Sequence, residues 1–283
     1  MGSPLILDGL MLAKEIEAEL TKEAAAVFKD SGKKPTLAAI LVGNNPASVT
    51  YVKMKGRDCK RVGIDFKKVA MPESTTTEEL LAKIDALNHD PDVHGILLQH
   101  PVPRHIDEKK CFDAIAVSKD ADGVNSASFG AMAMGMDCGF KCATPMAVMM
   151  IIERFGIKTA GKNAVVIGRS AILGKPAAML LLNADATVTI CHSRTEGLPD
   201  IVRRADIIVA AVGKPKFVQA DWVKEGAVII DAGYNAGNVG DVDLENAAAK
   251  SSAYTPVPGG VGPVTRAALM KNTLTAAKRT LGI

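Results

Sequence analysis

The stretch that most restricts how this chain can fold lies at residues 163–174. There an apolar strand, Ala164-Val-Val-Ile167, runs into a turn bounded by Gly168 and Gly174, and a helix pattern follows through Met179 to Leu182. A strand, a glycine turn and a helix open a βαβ unit, the connection that parallel strands require. Further strand patterns follow at 187–191, 205–212 and 227–230, the last ending in Asp231-Ala-Gly233. Short apolar strands alternating with helices predict a parallel sheet rather than hairpins.

The first half repeats the alternation. Leu12, Ile16 and Leu20 recur at helical spacing within an expected helix over 11–29, ended by Gly32 and Pro35. A strand is expected over 36–42, then the turn residues Gly43-Asn-Asn-Pro46. Ser48 is the expected cap of a helix across 51–61 that stops near Gly63, and Thr76 with Glu79 has capping-box spacing. Leu80, Leu81, Ile84 and Leu87 give the next helix its apolar face, and a strand over 93–98 ends in Gln99-His-Pro-Val-Pro103. Residues 123–139, rich in Gly, Ser and Met with weak periodicity, read as a crossing segment near a domain boundary. Thr144 as cap and Pro145 as first residue are expected to begin a helix reaching about residue 155. A last helix is expected over 265–278. The fold class is therefore α/β in two domains. Residues 1–140, completed by 265–283, form the first, and 141–264 form a Rossmann-like parallel-sheet domain.

Composition excludes several alternatives. With 34 basic and 31 acidic residues evenly mixed, the net charge of +3 provides no basic stripe for nucleic acid. Five cysteines without a Cys-x-x-Cys pair suggest reduced thiols and no metal site. No apolar run is long enough for a membrane span, and the N-terminal residues lack a signal pattern, so the cytoplasm is the expected location.

The turn at 168–174 points to a pyrophosphate, because glycines let backbone N–H groups approach an anion closely at a helix start. Its middle position is Ser170 rather than the glycine of a strict Gly-x-Gly-x-x-Gly. After the next strand an NAD site usually has a carboxylate for the ribose hydroxyls. Here the sequence is His192-Ser-Arg-Thr195, with no carboxylate before Glu196. Ser193 and Arg194, with Arg169 in the first turn, could bind a 2′-phosphate, which a carboxylate would repel. NADP is thus expected over NAD, with Gly168, Arg169, Ser170, Gly174, Ser193, Arg194 and Gly233 as cofactor-binding candidates. Arg194 can also be read as an ordinary solvated arginine.

In the first half, Tyr51 and Lys55 stand four apart on one helix face. A lysine desolvated beside an aromatic ring can serve as an acid or base near neutrality. The same pair can equally be an ordinary surface Tyr–Lys contact, and Gln99 and Asp122 can be loop residues without a task.

Taken together, these stretches resemble the bifunctional 5,10-methylenetetrahydrofolate dehydrogenase/cyclohydrolase family over nearly the whole chain. The matching segments are Tyr51-Val-Lys-Met-Lys55, Gly95-Ile-Leu-Leu-Gln99, Lys119-Asp-Ala-Asp-Gly123, the 168–176 turn and Thr187-Val-Thr-Ile-Cys-His-Ser193. The most specific is Thr255-Pro-Val-Pro-Gly-Gly-Val-Gly-Pro-Val-Thr265. The resemblance implies a homodimer, NADP, and a folate substrate (polyglutamylated forms included) in a cleft between the domains. It implies catalytic roles for Lys55, Gln99, Tyr51 and Asp122. It also implies substrate contacts from Tyr51, Asp122, Pro258, Gly259 and Gly260, and a final helix packed on the first domain. The implied reaction is oxidation of 5,10-methylenetetrahydrofolate to the methenyl form, then hydrolysis to 10-formyltetrahydrofolate.

Some residues depart from the family pattern. His100 stands where an apolar residue usually follows the glutamine, and the segment 141–147 differs ahead of the middle helix. His100 is either a histidine at a pocket rim or an added proton-transfer group. Two other readings of the whole are a dehydrogenase without the second activity and a non-catalytic folate- or nucleotide-binding regulator. Retention of both Lys55 and Gln99 speaks against the first, and Lys55, Gln99 and Asp122 together in one chain speak against the second.

Overall fold

The computed structural model describes residues 3–136 and 138–283. In chain order the first elements are β1 (Leu5–Ile6), α1 (Gly9–Ser31), β2 (Thr36–Val42), α2 (Pro46–Val62) and β3 (Asp65–Met71). Next come α3 (Thr77–His89), β4 (Gly95–Leu98), α4 (Glu108–Ala114), α5 (Ser126–Ala133) and α6 (Ala143–Arg154). The remainder is β5 (Asn163–Ile167), α7 (Gly174–Asn183), β6 (Thr187–Cys191), α8 (Leu198–Val202), β7 (Ile207–Ala210), β8 (Val228–Asp231), α9 (Leu244–Ala247), β9 (Ala253–Tyr254) and α10 (Val261–Leu281). Packing divides the chain into two units, one of residues 15–143 with 266–283 and the other of residues 1–14 with 144–265.

The unit holding 15–143 is built on a parallel sheet in the order β3-β2-β4. β2 lies in the middle, so the chain leaves it to one side for β3 and returns to the other for β4. Open parallel sheets bind ligands at such a reversal, beyond the carboxyl ends of the strands. By that rule the ends of β2 and β4, where α2 begins and Gln99 follows, are the candidate edge for a site. β4 is buried throughout, and β2 is buried from Leu37 to Val42. β3 was not anticipated. Lys67 and Lys68 interrupt its apolar pattern because it is an edge strand with much of its length exposed.

Helix starts explain most local differences from expectation. α2 is capped by Asn45, whose side chain accepts from the N–H groups of Ala47 and Ser48, so Ser48 lies inside the helix. Its far end is Gly63 in the left-handed conformation, where a residue without Cβ is favoured. Thr76 and Glu79 form the capping box. In α3, Leu80, Ile84 and Leu87 are buried, while Leu81 is partly exposed. The stretch read as a crossing segment contains α5, capped by Asn125. Its small and apolar residues lack the periodicity that marks a surface helix. α6 begins at Ala143 and α10 at Val261, so Thr144 is not a cap, and Pro145 and Pro263 sit third in their helices. Proline is tolerated there because first-turn N–H groups have no acceptor within the helix.

The second unit is a six-stranded parallel sheet in the order β1-β9-β8-β7-β5-β6. Its strand reversal lies between β5 and β7, which pair through Ala164–Ile207 to Ile167–Ala210. β1 pairs with β9 at Leu5–Ala253 and Ile6–Tyr254, so the first residues belong to this sheet rather than to the first domain as expected. Two residues are too short for sequence periodicity to assign. α10 from Arg266 onward belongs with the first unit. Arg266 donates to the buried Asp58 of α2, and Asn272 Nδ2 donates to the carbonyls of Ala121 and Lys141. These contacts hold both α2 and the loop that carries Asp122.

Candidate active site and cofactor cradle

In the first unit, Lys55 and Gln99 are brought together from α2 and the end of β4. Lys55 Nζ donates to Gln99 Oε1 at 3.0 Å. Gln99 Nε2 donates to the His100 carbonyl at 2.7 Å, and the Gln99 N–H donates to Ile40 O of β2 at 2.9 Å. A carbonyl can only accept, so the His100 bond determines which end of the Gln99 amide faces the lysine. Lys55 is half-buried, and burial lowers its pKa below the usual lysine range. Asp122 and Cys59 oppose that fall, and Arg266 adds to it.

Asp122 is half-buried. Burial pushes its carboxyl above the usual range, against the pull of Lys55 and His100. Its loop is held by Asp120, which is 0% exposed and accepts from the N–H groups of Val124 and Asn125 and the hydroxyl of Ser128. Burial pushes the Asp120 carboxyl up to about 6, ahead of the opposing hydrogen bonds from those three groups. A Cβ on Gly123, which has φ +67°, would stand 2.5 Å from Cys142 N. The Asp-Ala-Asp-Gly loop thus has a structural aspartate at its first position, while the one at its third interacts electrostatically with Lys55 and His100. Tyr51 lies on α2 one turn before Lys55, 36% exposed. His100 Nδ1 is 2.7 Å from Glu108 Oε1, and the side chain is part-exposed.

In the second unit, the 168–174 turn has the close backbone approach expected of a phosphate cradle. A Cβ on Gly168 would meet Ala211 O at 2.2 Å, and one on Gly174 would meet Gly168 O at 2.2 Å. No side chain of residue 173 caps α7, and Ser170 Oγ accepts from Gly174 N at 3.3 Å. β5 and β6 are neighbours in register, Ile167 opposite Cys191, and Gly168 N donates to Cys191 O at 2.9 Å. Arg169 and Ser170 therefore leave one strand end while Ser193 and Arg194 leave the adjacent one, all four exposed. A turn closed by His192 N to Thr195 Oγ1 at 2.8 Å and Arg194 N to His192 Nδ1 at 3.2 Å shapes the second of these loops. The glycine cradle and adjacent arginines fit a phosphorylated dinucleotide.

Gly233 has a different reason for being glycine: its Cβ would overlap the Asp241 carboxylate, 2.1 Å from Cγ. Asp241, 0% exposed, accepts from the N–H groups of Val212, Gly213 and Lys214 and so shapes the loop after β7, at the strand reversal. Asp231 in turn accepts from Gly233, Asp241 and Val242. Sequence reasoning missed this pair; the only signal was an aspartate ending an otherwise apolar strand. Pro258, Gly259 and Gly260 lie in the same unit as the cradle, just before α10. Gly260 O leaves no room for a Cβ at Gly9, which would be 1.8 Å away.

Two parallel sheets, one followed by a glycine turn that fits a dinucleotide and the other by a lysine–glutamine pair, define the class of α/β nucleotide-dependent oxidoreductases. Residues 7–122 match the family described as tetrahydrofolate dehydrogenase/cyclohydrolase, catalytic domain, and residues 142–281 match its NAD(P)-binding domain. The chain belongs to this family. It is 60% identical over 263 residues to a bifunctional protein FolD of Cellvibrio japonicus, covering 93% of this chain and 94% of the relative. The FolD methylenetetrahydrofolate dehydrogenase/cyclohydrolase structure from Campylobacter jejuni has a TM-score of 0.95 and 44% identity, covering 98% of this chain and 99% of that one. The Trypanosoma brucei enzyme, solved with NADP cofactor and inhibitor, has a TM-score of 0.96 and 37% identity over 100% of both chains.

Proposed function

We propose that both reactions of this family are carried by Lys55, Gln99, Tyr51 and Asp122, with the cofactor held by Gly168, Arg169, Ser170, Gly174, Ser193 and Arg194. As a family member the chain oxidises 5,10-methylenetetrahydrofolate to the methenyl form, NADP⁺ supplying the hydride acceptor, and hydrolyses the product to 10-formyltetrahydrofolate. The observation that carries the assignment is the Lys55–Gln99 hydrogen bond in a setting that lowers the lysine pKa.

The first reaction calls for alignment rather than a protein base. Tyr51 stacks on and orients the folate, and Asp122 accepts from its amino-pyrimidine edge. Pro258, Gly259 and Gly260 contribute further substrate contacts, a role supported by their family motif. In the second reaction water adds to the methenyl carbon. Lys55 as a free amine takes a proton from that water and returns one to the ring nitrogen freed when the carbon–nitrogen bond breaks, with one proton released overall. Gln99 engages one Lys55 N–H through an oxygen acceptor, which leaves the amine lone pair available for this work. Assembly as a homodimer, acceptance of polyglutamylated folates and a cytoplasmic location complete the proposal on the strength of the sequence reading.

The test is Lys55→Met, supplied with methylenetetrahydrofolate and NADP⁺, with methenyl accumulation and decay followed separately. Hydrolysis is expected to fall by about a hundredfold or more while hydride transfer persists. Hydrolysis at the wild-type rate would remove Lys55 from the mechanism.

A further inference from the structure

Gln99 can face Lys55 in two ways, and only one is useful. With Oε1 toward the lysine, the amine donates and keeps its lone pair for the reaction. With the amide reversed, Nε2 would donate into that lone pair and occupy it. The bond from Nε2 to His100 O excludes the reversed form, so whatever positions the His100 carbonyl controls the lysine. Glu108, the first residue of α4, holds this segment. Its Oε1 is 2.7 Å from His100 Nδ1 and accepts from the Val102 N–H at 3.1 Å. A single carboxylate oxygen therefore binds residues on both sides of Pro101.

We propose that Glu108 and His100 form a positioning pair for the hydrolytic reaction, holding the His100 carbonyl so that Gln99 presents oxygen, not nitrogen, to Lys55. This rests on the assignment of Lys55 and Gln99 to hydrolysis. The histidine supplies what an apolar residue at this position could not, a second donor to the clamp. The charge pattern supports the pairing. The hydrogen bond to Glu108 holds the imidazole above its usual range against burial, with Asp122 adding to the effect. Burial would raise the Glu108 carboxyl, but His100 and the Val102 N–H bring it below its ordinary value. α4 itself is fastened independently, since Asp107 caps it by accepting from Lys110 N at 3.0 Å and its own N–H donates to Thr77 Oγ1. The clamp can therefore be removed while its helix remains capped.

The experiment compares Glu108→Ala, Glu108→Gln and His100→Leu in the full-length enzyme, measuring kcat and KM for methenyltetrahydrofolate hydrolysis and kcat for the dehydrogenase. Glu108→Ala is expected to lower hydrolytic kcat about tenfold or more, with KM and dehydrogenase kcat little changed. Glu108→Gln keeps an acceptor oxygen and recovers most of the rate. His100→Leu, at a side chain 47% exposed, removes one of the two donors and lowers hydrolytic kcat by a smaller factor without threatening the fold. Unchanged hydrolytic kcat in His100→Leu and Glu108→Ala, or parallel loss of the dehydrogenase in either, overturns the proposal. Lys55→Met measured alongside separates the two claims: if it hydrolyses normally, the assignment of Lys55 fails, whatever the Glu108 variants do.

Discussion

The Lys55 centre and the 168–174 turn use opposite means to prepare for a ligand. Around Lys55 the arrangement is made by side chains: Lys55 donates to the buried Gln99, and the half-buried Lys55 and Asp122 are shifted in pKa by burial, each opposed by the other's charge. Around Gly168 the backbone forms the shape, two glycines sit where no Cβ fits, and the charged side chains are exposed. A proton-transfer group needs partial desolvation to move its pKa, and so it needs partners that can be named. A phosphate site needs free N–H groups and mobile cations that can close on an anion. Substitutions in the two regions should therefore fail in different ways.

The largest separation is expected from Gly174→Ala. Its Cβ would meet Gly168 O at 2.2 Å, so the turn must open. KM for NADP⁺ should rise about a hundredfold in steady-state kinetics, while hydrolysis of methenyltetrahydrofolate supplied directly stays near wild type. Equal loss of both would show that the two regions are not separable.

Asp58→Ala tests what holds the lysine helix. Asp58, with its side chain 8% exposed, pairs with Arg61 and with Arg266 of α10, whose side chain is 19% exposed. Removing one member of such a pair leaves a poorly solvated cation, at a cost of about 3 kcal/mol. Urea denaturation should show that loss, with hydrolysis more impaired than NADP⁺ affinity.

Arg194→Ala should have a more modest effect and sharpen the comparison from the other side. Loss of one charge-assisted hydrogen bond is worth about 1.5 kcal/mol, or roughly tenfold. The expected result is a tenfold fall in the kcat/KM preference for NADP⁺ over NAD⁺, with hydrolysis unaffected. An unchanged preference would make Arg194 the solvated arginine of its alternative reading.

The smallest effect concerns pH. Asp122 raises the Lys55 pKa, because an anion favours the ammonium form. Asp122→Asn removes that anion, so the lysine becomes a free amine at lower pH. The acid limb of hydrolytic kcat at saturating folate should move toward lower pH by about one unit or less. A shift in the opposite direction would break the proposed coupling of the two groups.

Much of the candidate site's local structure was legible in the sequence, for reasons that differ by residue. Gly168, Gly174 and the strand before them follow a local rule, and the 163–174 stretch folds as that rule predicts. Lys55 and Gln99 are 44 positions apart, and it was the family motif, not spacing, that joined them. Glu108, Asp231 and Asp241 gave no clear signal, since a carboxylate beside apolar residues has many ordinary meanings until its donors are seen. Gly233 was read as a cofactor-binding residue, and the packing gives its glycine a further reason that sequence could not show, room for the Asp241 carboxylate.

The sequence by itself determined the alternation of strands and helices, the glycine cradle, the absence of an NAD-type carboxylate after β6 and the family. Those properties depend on neighbours within a turn or on motifs too long to arise by chance. The tertiary structure decided the pairing of β1 with β9, the anchoring of α10 through Arg266 on Asp58 and through Asn272 on the carbonyls of Ala121 and Lys141, and the clamp from Glu108 through His100 to Gln99. Each of these depends on hydrogen bonds or ion pairs between elements that only folding brings within reach. No local pattern encodes the partner of a buried carboxylate or the direction of an amide.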